Sequence, residues 1–229
     1  METLLFYTPG TCALACIVSL EWLGEPYRLC RVDGDARSSD AYRAINPRAQ
    51  VPAVRVDGRT LVESNAILAH IADRRPEARL LPANGSWERD VANEWLAYLA
   101  SGLHAAFWPY FRPDRYTTDA AHEGSVKAAA ERAVRRELAT LNRHLDGRDW
   151  VLQGLRSVLD AYVHAMDRWA NPFVQMPEEF PHIWRHQKAL AGDPAVRFAL
   201  AAERSVDTDR TGTSCVGHVT LAELPSSPG

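Results

Sequence analysis

The sequence predicts an α/β domain followed by an all-α domain. At 229 residues, the chain is long enough for one large domain or two small ones. Strand and helix patterns alternate near the amino terminus, and beyond about residue 86 only long helical periods remain. Hydrophobic residues make up 46% of the chain and charged residues 24%, as in ordinary globular proteins, so global disorder is not expected.

The first domain, residues 1–75, begins with a strand–helix–strand pattern. Residues 2–7 form a short apolar run typical of a buried strand. Residues 12–23 carry apolar side chains at helical spacing up to Gly24, which ends the helix. Residues 27–32 are again strand-like. A helix between two strands indicates a parallel pair joined by a crossover.

A hairpin and a second helix complete this domain. A strong two-residue turn signal, Asp57-Gly58, separates the strand-like residues 51–56 and 59–62. Residues 64–73 follow with an apolar face at helical spacing. The whole pattern predicts a small α/β unit of about 75 residues.

A stretch containing Pro and Gly, residues 76–86, is the predicted linker to an all-helical domain at residues 87–203. Pro109 is expected to kink or end the first long helix. The predicted helices cover residues 87–107, 126–145, 158–169, 183–190 and 195–202. The last segment, residues 204–229, is rich in small polar residues, and we expect it either to be poorly ordered or to pack across the surface.

Charge and hydropathy argue against several kinds of partner. The net charge of −3 leaves no basic excess for a broad nucleic-acid face. No apolar run approaches the ~20 residues of a membrane span. The amino-terminal residues lack the basic region and apolar core of a signal peptide. We therefore expect a cytoplasmic protein that binds neither nucleic acid nor membrane.

The cysteines are Cys12, Cys16, Cys30 and Cys215, and no two have the CxxC spacing of a zinc or dithiol motif. We expect free thiols and no metal site, because Cys215 and His218 alone are too few ligands. Cys12 stands at the amino end of the first helix, where unpaired N–H groups and the helix dipole favour a thiolate. The commoner alternative for a lone cysteine is an inert apolar side chain, which we expect of Cys16 and Cys30.

Two further segments of the first domain are candidates for binding a small ligand. Val51-Pro52 is expected to be trans by default, but a cis bond would leave the Val51 N–H and C=O facing outward for an extended peptide to pair with. Glu63 could accept an ammonium group. Ser64 could hold a carboxylate at the helix amino end, although N-capping alone is its simpler interpretation.

In the helical domain, the candidate is His104. It lies one residue off the apolar stripe of the first long helix, on a face whose small residues leave room for a cleft. A lone helical histidine is nevertheless more often structural. Ser157 and Asp160 form a variant capping box that is expected to start the third long helix.

Taken together, these features resemble a glutathione transferase, closest to the bacterial beta class, over about residues 1–203. Residues 7–14 resemble the opening turn of that class with its active-site cysteine, and residues 46–52 resemble the segment leading to its cis-proline. Glu63 and Ser64 resemble its acidic-serine pair. The matching segments of the helical domain are Glu94-Trp95-Leu96, Leu103-His104, Phe111-Arg112-Pro113 and residues 157–162.

The resemblance implies a thioredoxin-like domain that binds glutathione, followed by a helical-bundle domain that shapes the co-substrate pocket. Val51 would pair by its backbone with the cysteinyl part of glutathione, and Pro52 would be cis. Glu63 and Ser64 would hold the γ-glutamyl end. Cys12 would sit at the glutathione sulfur, and His104 would approach that sulfur from the helical domain. Further residues implied at the substrate sites are Tyr7 in a supporting position, Gln50 beside the cis-proline, and Phe107 and Trp108 as pocket walls.

The sequence also departs from the pattern of the beta class. Ala13 replaces the serine that often follows the cysteine, so Thr11 becomes the candidate for supplying a hydroxyl group to catalysis. The loop at residues 33–40 is short and lacks the lysine expected near the glycine carboxylate, for which Arg37 is the candidate replacement. Ala97 stands where the class tends to have an asparagine.

Three functions stay open at this point. The first is conjugation of glutathione, as co-substrate, to a small hydrophobic electrophile without a metal. The second is thiol–disulfide exchange through a mixed disulfide of Cys12 with glutathione. The third is a non-catalytic module that binds glutathione or a protein. The resemblance implies a homodimer, and the sequence does not identify the electrophile.

Overall fold

The computed structural model describes residues 2–224, and the chain divides into two compact units. One is built from Met1–Leu81 together with Ala191–Gly229, and the other from Pro82–Leu190. In chain order, the helices are α1 Ala13–Leu23, α2 Asp35–Ser38, α3 Asp40–Arg43, α4 Ser64–Arg74, α5 Trp87–Tyr98, α6 Ala105–Phe111, α7 Glu123–His144, α8 Val158–Asp167, α9 Met176–Glu179, α10 Pro181–Ala191 and α11 Pro194–Arg204.

The first unit contains a mixed sheet that has five strands within residues 2–224. These strands are β1 Thr3–Tyr7, β2 Tyr27–Arg31, β3 Ala53–Val56, β4 Arg59–Val62 and β5 Cys215–His218, in the spatial order β4-β3-β1-β2-β5. β1 and β2 are parallel, as the strand–helix–strand pattern predicts. β3 and β4 form the predicted antiparallel hairpin, and β3 pairs antiparallel with β1.

α1 lies at the centre of the first unit. Nearly all of its side chains are buried because β1, α4 and α11 pack against it. A helix that is apolar on every side has to be covered on every side. This explains why α11, which the sequence analysis placed in the helical domain of residues 87–203, is grouped with the first unit instead.

The segment that follows α11 extends the sheet. β5 pairs in parallel with the edge of β2, and the Glu21 carboxylate accepts the backbone N–H groups of Ser214 and Cys215 at 2.9 and 3.1 Å. Val219, Leu221 and Leu224 then pack against the sheet face that carries Leu4 and Phe6. Within the predicted tail of residues 204–229, the part up to residue 224 is therefore joined to the sheet, and residues 225–229 lie outside the described residues.

In the second unit, α5 and α6 are joined without a break by a turn of π-helix, Leu99–His104. The combined helix continues past Pro109 and ends two residues later, at Phe111. Trp87, at the start of the predicted apolar stripe, is 75% exposed. The Ser157 and Asp160 capping box is present at the start of α8, as predicted.

Candidate functional site

Cys12 stands at the N-cap position of α1, directly after the turn that leaves β1. Only 5% of the residue is exposed. The amino end of α1 carries the partial positive charge of the helix dipole, which favours a thiolate or another anionic sulfur beside it.

Three segments that are far apart in sequence meet at the Cys12 thiol. The Ser64 hydroxyl, at the start of α4, donates a hydrogen bond to Cys12 Sγ at 3.3 Å. Cys12 Sγ itself lies 4.0 Å from the Val51 carbonyl oxygen, its acceptor. The structure thus brings together Cys12, Val51 and Ser64, which we call the Cys12 cluster. Ser64 is the first residue of α4 rather than its N-cap, so the capping role considered from the sequence is not the one its hydroxyl performs.

The Val51–Pro52 peptide bond is cis, as the resemblance implies. The preceding residue, Gln50, has an exposed side chain, but its carbonyl accepts hydrogen bonds from the Tyr42 hydroxyl at 2.7 Å and from Asn46 Nδ2 at 2.8 Å. Sequence reasoning missed these two anchors. Asn46 lies in the segment that resembles the cis-proline region, and this position was the signal that could have identified it.

Glu63 precedes α4 in a left-handed conformation, with φ of 73°. Its carboxylate is exposed and forms an ion pair with Arg48 at 2.8 Å. A carboxylate and a guanidinium beside the Cys12 cluster match the two charges of an α-amino acid group. Arg48 is a third residue, after Tyr42 and Asn46, that sequence reasoning did not select.

Thr11, the candidate hydroxyl donor, is engaged within its own turn. Its hydroxyl donates to the Thr8 carbonyl at 2.7 Å and accepts the Ala13 N–H at 3.3 Å. The side chain therefore organises the first turn of α1.

The other three cysteines are free thiols held in apolar surroundings. Burial raises the pKa of the Cys16 thiol well above its ordinary value. Burial also raises the pKa of Cys30 to about 12 and that of Cys215 above its usual range. These thiols stay protonated near neutral pH, as expected for core residues.

Tyr7 is the last residue of β1. It is completely buried, and its hydroxyl donates to the Ala202 carbonyl at 2.9 Å and lies 3.0 Å from His218 Nε2. Burial raises the pKa of Tyr7 to about 12. Its hydroxyl joins β1 to α11 and β5, and its predicted supporting position in the substrate site stays a prediction.

Arg37 lies exposed on α2. Among residues 2–224, no described hydrogen bond or ion pair links it to the Cys12 cluster, so its predicted contact with the glycine carboxylate stays a prediction. In the same part of the chain, no group of three or more potential ligand residues could hold a metal ion. Nor is any helix in this range both long and apolar enough to cross a membrane.

The remaining predicted site residues belong to the second unit and form an aromatic cluster there. His104 Nδ1 lies 3.0 Å from the Tyr162 hydroxyl, and its ring packs against Trp108 and Trp169. Phe107 is completely buried between Phe111 and Trp169, as a core residue. At the edge of this cluster, Trp108 is 36% exposed and Phe111 is 47% exposed.

Comparison with known proteins agrees with this geometry. Residues 12–79 match the family model for the glutathione S-transferase N-terminal domain. The chain is 36% identical over 203 residues to glutathione S-transferase GstA of Escherichia coli O157:H7, an alignment that covers 87% of this chain and 98% of that protein.

Two solved structures extend the similarity to the whole fold. A sphingomonad glutathione S-transferase complexed with glutathione is 35% identical with a TM-score of 0.79, covering 89% of this chain and 99% of that one. A bacterial beta-class glutathione S-transferase of Sphingomonas chungbukensis is 33% identical with a TM-score of 0.78, covering 89% and 98%.

The cysteine at the helix amino end, the neighbouring cis-proline segment and these similarities have one explanation. The chain belongs to the glutathione S-transferase family and resembles its bacterial beta-class members.

Proposed function

We propose that this protein is a glutathione transferase that activates the glutathione thiol for attack on a small hydrophobic electrophile. The observation that carries the proposal is the Cys12 cluster, in which the cysteine, the cis-proline segment and the start of α4 meet within 4.0 Å of one sulfur. The names of the relatives support the same activity.

In the proposed complex, Glu63 accepts the ammonium group of the γ-glutamyl end. Its carboxylate is exposed, and the neighbouring Arg48 guanidinium can pair with the ligand carboxylate. On binding, the single Ser64 hydroxyl proton would turn from the Cys12 sulfur to that carboxylate, and the amino end of α4 would add backbone donors. The Val51 backbone pairs with the cysteinyl part as an added strand would.

The amino end of α1 supplies the activation. Glutathione thiol is mostly protonated near neutral pH, and the positive end of a helix dipole favours its thiolate. In the second unit we propose that His104 and Trp108 bind the electrophile, because Trp108 is partly exposed and its ring stacks with that of His104.

The test is glutathione-dependent conjugation of an activated aryl chloride, with glutathione binding measured by titration calorimetry. We expect binding and turnover in the wild type, and loss of binding by about tenfold in Glu63→Gln, which removes one charged partner. Glu77→Gln, which changes an exposed carboxylate paired with Arg75, is the matched control. A protein that binds glutathione but converts none of a panel of electrophiles would contradict the proposal.

Thiol–disulfide exchange is the second candidate, and it is favoured by one observation. Among the four cysteines, Cys12 alone stands at a helix amino end beside a hydroxyl donor. The Cys12 thiolate would attack the glutathionyl sulfur of a mixed disulfide and release the substrate thiol. A second glutathione thiolate would then attack the Cys12–glutathione disulfide and release glutathione disulfide. Full disulfide-reductase activity in Cys12→Ser would exclude this role.

We also propose that the protein is a cytoplasmic homodimer, as the resemblance implies. The free state of all four cysteines is consistent with a reducing compartment. Light scattering should give about twice the monomer mass of 25.5 kDa. A monomeric mass at micromolar concentration would contradict the dimer.

A further inference from the structure

The carboxyl end of α11 holds the turn that carries Cys12. The Gly10 N–H, in that turn, donates a hydrogen bond to Glu203 Oε1 at 2.9 Å. One residue earlier on α11, the Ala202 carbonyl accepts the Tyr7 hydroxyl at 2.9 Å. Both ends of the short segment between β1 and Cys12 are thus attached to a helix almost two hundred positions later in the chain.

α11 runs antiparallel to α1, and it makes one polar contact near each end of α1. At the far end, Trp22 Nε1 donates to the Asp193 carboxylate at 3.1 and 3.2 Å. Asp193 is also the N-cap of α11. The Trp22 contact thus joins the carboxyl end of α1 to the amino end of α11, and the Glu203 contact joins the turn before α1 to the carboxyl end of α11.

The turn needs an external restraint at Gly10. Its φ of 79° is a conformation that glycine adopts freely, and glycine is also the residue with the largest backbone freedom. Besides the local bonds from Thr11 to Thr8 and from Ala13 to Thr11, the Thr8 hydroxyl donates to the Val32 carbonyl, so the turn is tied to the residue after β2 at its start and to α11 at Gly10. The bond to Glu203 is exposed but charge-assisted, and it restrains the turn from a distant part of the chain.

We propose that Glu203 is a positioning residue for catalysis, whose carboxylate fixes the Gly10 amide and through it the placement of Cys12 and the amino end of α1. This inference rests on the proposed function of the Cys12 cluster. Glu203 touches no substrate in this arrangement. The proposed glutathione contacts, Val51, Glu63 and Ser64, lie in other segments, so its loss should change turnover more than glutathione affinity.

Glu203→Ala tests the proposal, with Trp22→Phe as the matched control that removes the hydrogen bond to α11 at the far end of α1. We expect Glu203→Ala to lower kcat by about tenfold, as the loss of one charge-assisted hydrogen bond predicts, with KM for glutathione changed less than threefold. Glu203→Gln keeps an acceptor oxygen and should restore most of kcat. Trp22→Phe should lower thermal stability and leave kcat unchanged.

A second readout does not depend on turnover. The rate of Cys12 alkylation by iodoacetamide, followed by peptide mass spectrometry, should rise several-fold in Glu203→Ala and stay at the wild-type value in Trp22→Phe. Equal effects of the two substitutions on both readouts would overturn the positioning role. An inactive wild type would refute the proposed function alone, since the alkylation rates would still decide whether Glu203 holds the turn.

Discussion

At the start of α4, the Ser64 hydroxyl bonds to Cys12, at the amino end of the neighbouring helix α1. It donates to the Cys12 sulfur at 3.3 Å, from a residue that is itself buried. A hydrogen-bond donor directed at a sulfur stabilises the thiolate more than the thiol. The same hydroxyl lies where the carboxylate of the γ-glutamyl group is proposed to bind.

Ser64→Ala is therefore expected to raise KM for glutathione by about tenfold, because a buried hydrogen bond is lost without new packing. Steady-state kinetics with varied glutathione measures this. Ser19→Ala is the control, since the buried Ser19 hydroxyl has no hydrogen-bond partner among the described residues. A KM that is unchanged in Ser64→Ala and wild-type kinetics in Ser19→Ala would contradict the role of Ser64.

The residues of the site could be selected from the sequence, but their meeting could not be derived from spacing. Cys12 stands out because it follows the turn signals before a helix, and Ser64 because it precedes one. Each of the two residues has a purely structural interpretation as well as a functional one. Only the resemblance to a family implied that they belong to the same site. Tyr42, Asn46 and Arg48 were missed because their roles depend on where the cis-proline segment lies relative to α3 and α4.

At the scale of elements, the two capping boxes offer a matched pair. Ser157 and Asp160 are completely buried, and the Asp160 carboxylate also accepts the Val151 N–H at 2.8 Å and contacts His186 Nε2 at 2.9 Å. Thr220 and Glu223 form the same motif on an exposed turn after β5.

Ser157→Ala should lower the free energy of unfolding by about 1–2 kcal/mol, because the lost cap leaves buried backbone donors without water. Thr220→Ala should lower it by less than about 0.5 kcal/mol, since water replaces an exposed cap. Urea denaturation of both variants measures the difference. Equal losses of unfolding free energy in the two variants would contradict the prediction that a buried capping box stabilises the protein more than an exposed one.

Removal of the edge strand β5 should destabilise the first unit. Deletion of residues 205–229 uncovers the edge of β2 and the sheet face of Leu4 and Phe6. We expect the free energy of unfolding to fall by about 3 kcal/mol, from lost hydrogen bonds and apolar burial. Urea denaturation tests this, with Val216→Ser as the control because that side chain of β5 is exposed. An unchanged denaturation midpoint after the deletion would contradict the prediction.

Sequence periodicity was sufficient for β1, α1, β2 and the hairpin because each has a strong local signal. It was insufficient for β5, whose four residues include Gly217 and whose pairing with β2 is entirely long-range. The π-helical turn at Leu99–His104 was also not predicted, since the apolar stripe continues through it without a break. Pro109 was expected to kink or end the helix, and the helix ends two residues after it.

At the scale of the whole molecule, the buried Asp167 and the partly buried His164 on α8 should shape the pH dependence of stability. Burial raises the pKa of Asp167 from 3.8 to about 7. Burial, together with the nearby His186 and Arg168, lowers the pKa of His164 from 6.5 to about 4. Between about pH 4 and 6.5, the folded protein keeps a proton on Asp167 that the unfolded chain has lost. In the same range, the unfolded chain holds a proton on His164 that the folded protein lacks.

The two groups change the free energy of unfolding with pH in opposite directions. Their effects therefore cancel in the wild type and become measurable when either group is replaced. Relative to the wild type, Asp167→Asn should gain stability with rising pH between about 4 and 7, by about 1.4 kcal/mol per pH unit. Relative to the wild type, His164→Gln should lose stability with rising pH at a similar rate between about pH 4 and 6.5. Urea denaturation across this range measures both slopes. Curves that run parallel to the wild type would refute the assignment.

The pairing of α1 with α11 also affects how the chain folds during synthesis. Residues 82–190 form a compact unit of their own and leave the ribosome between the two parts of the other unit. Part of the apolar surface of α1 therefore stays exposed until α11 has been synthesised. We expect the helical unit to fold first and the early α/β segment to be the region that chaperones protect until translation nears its end.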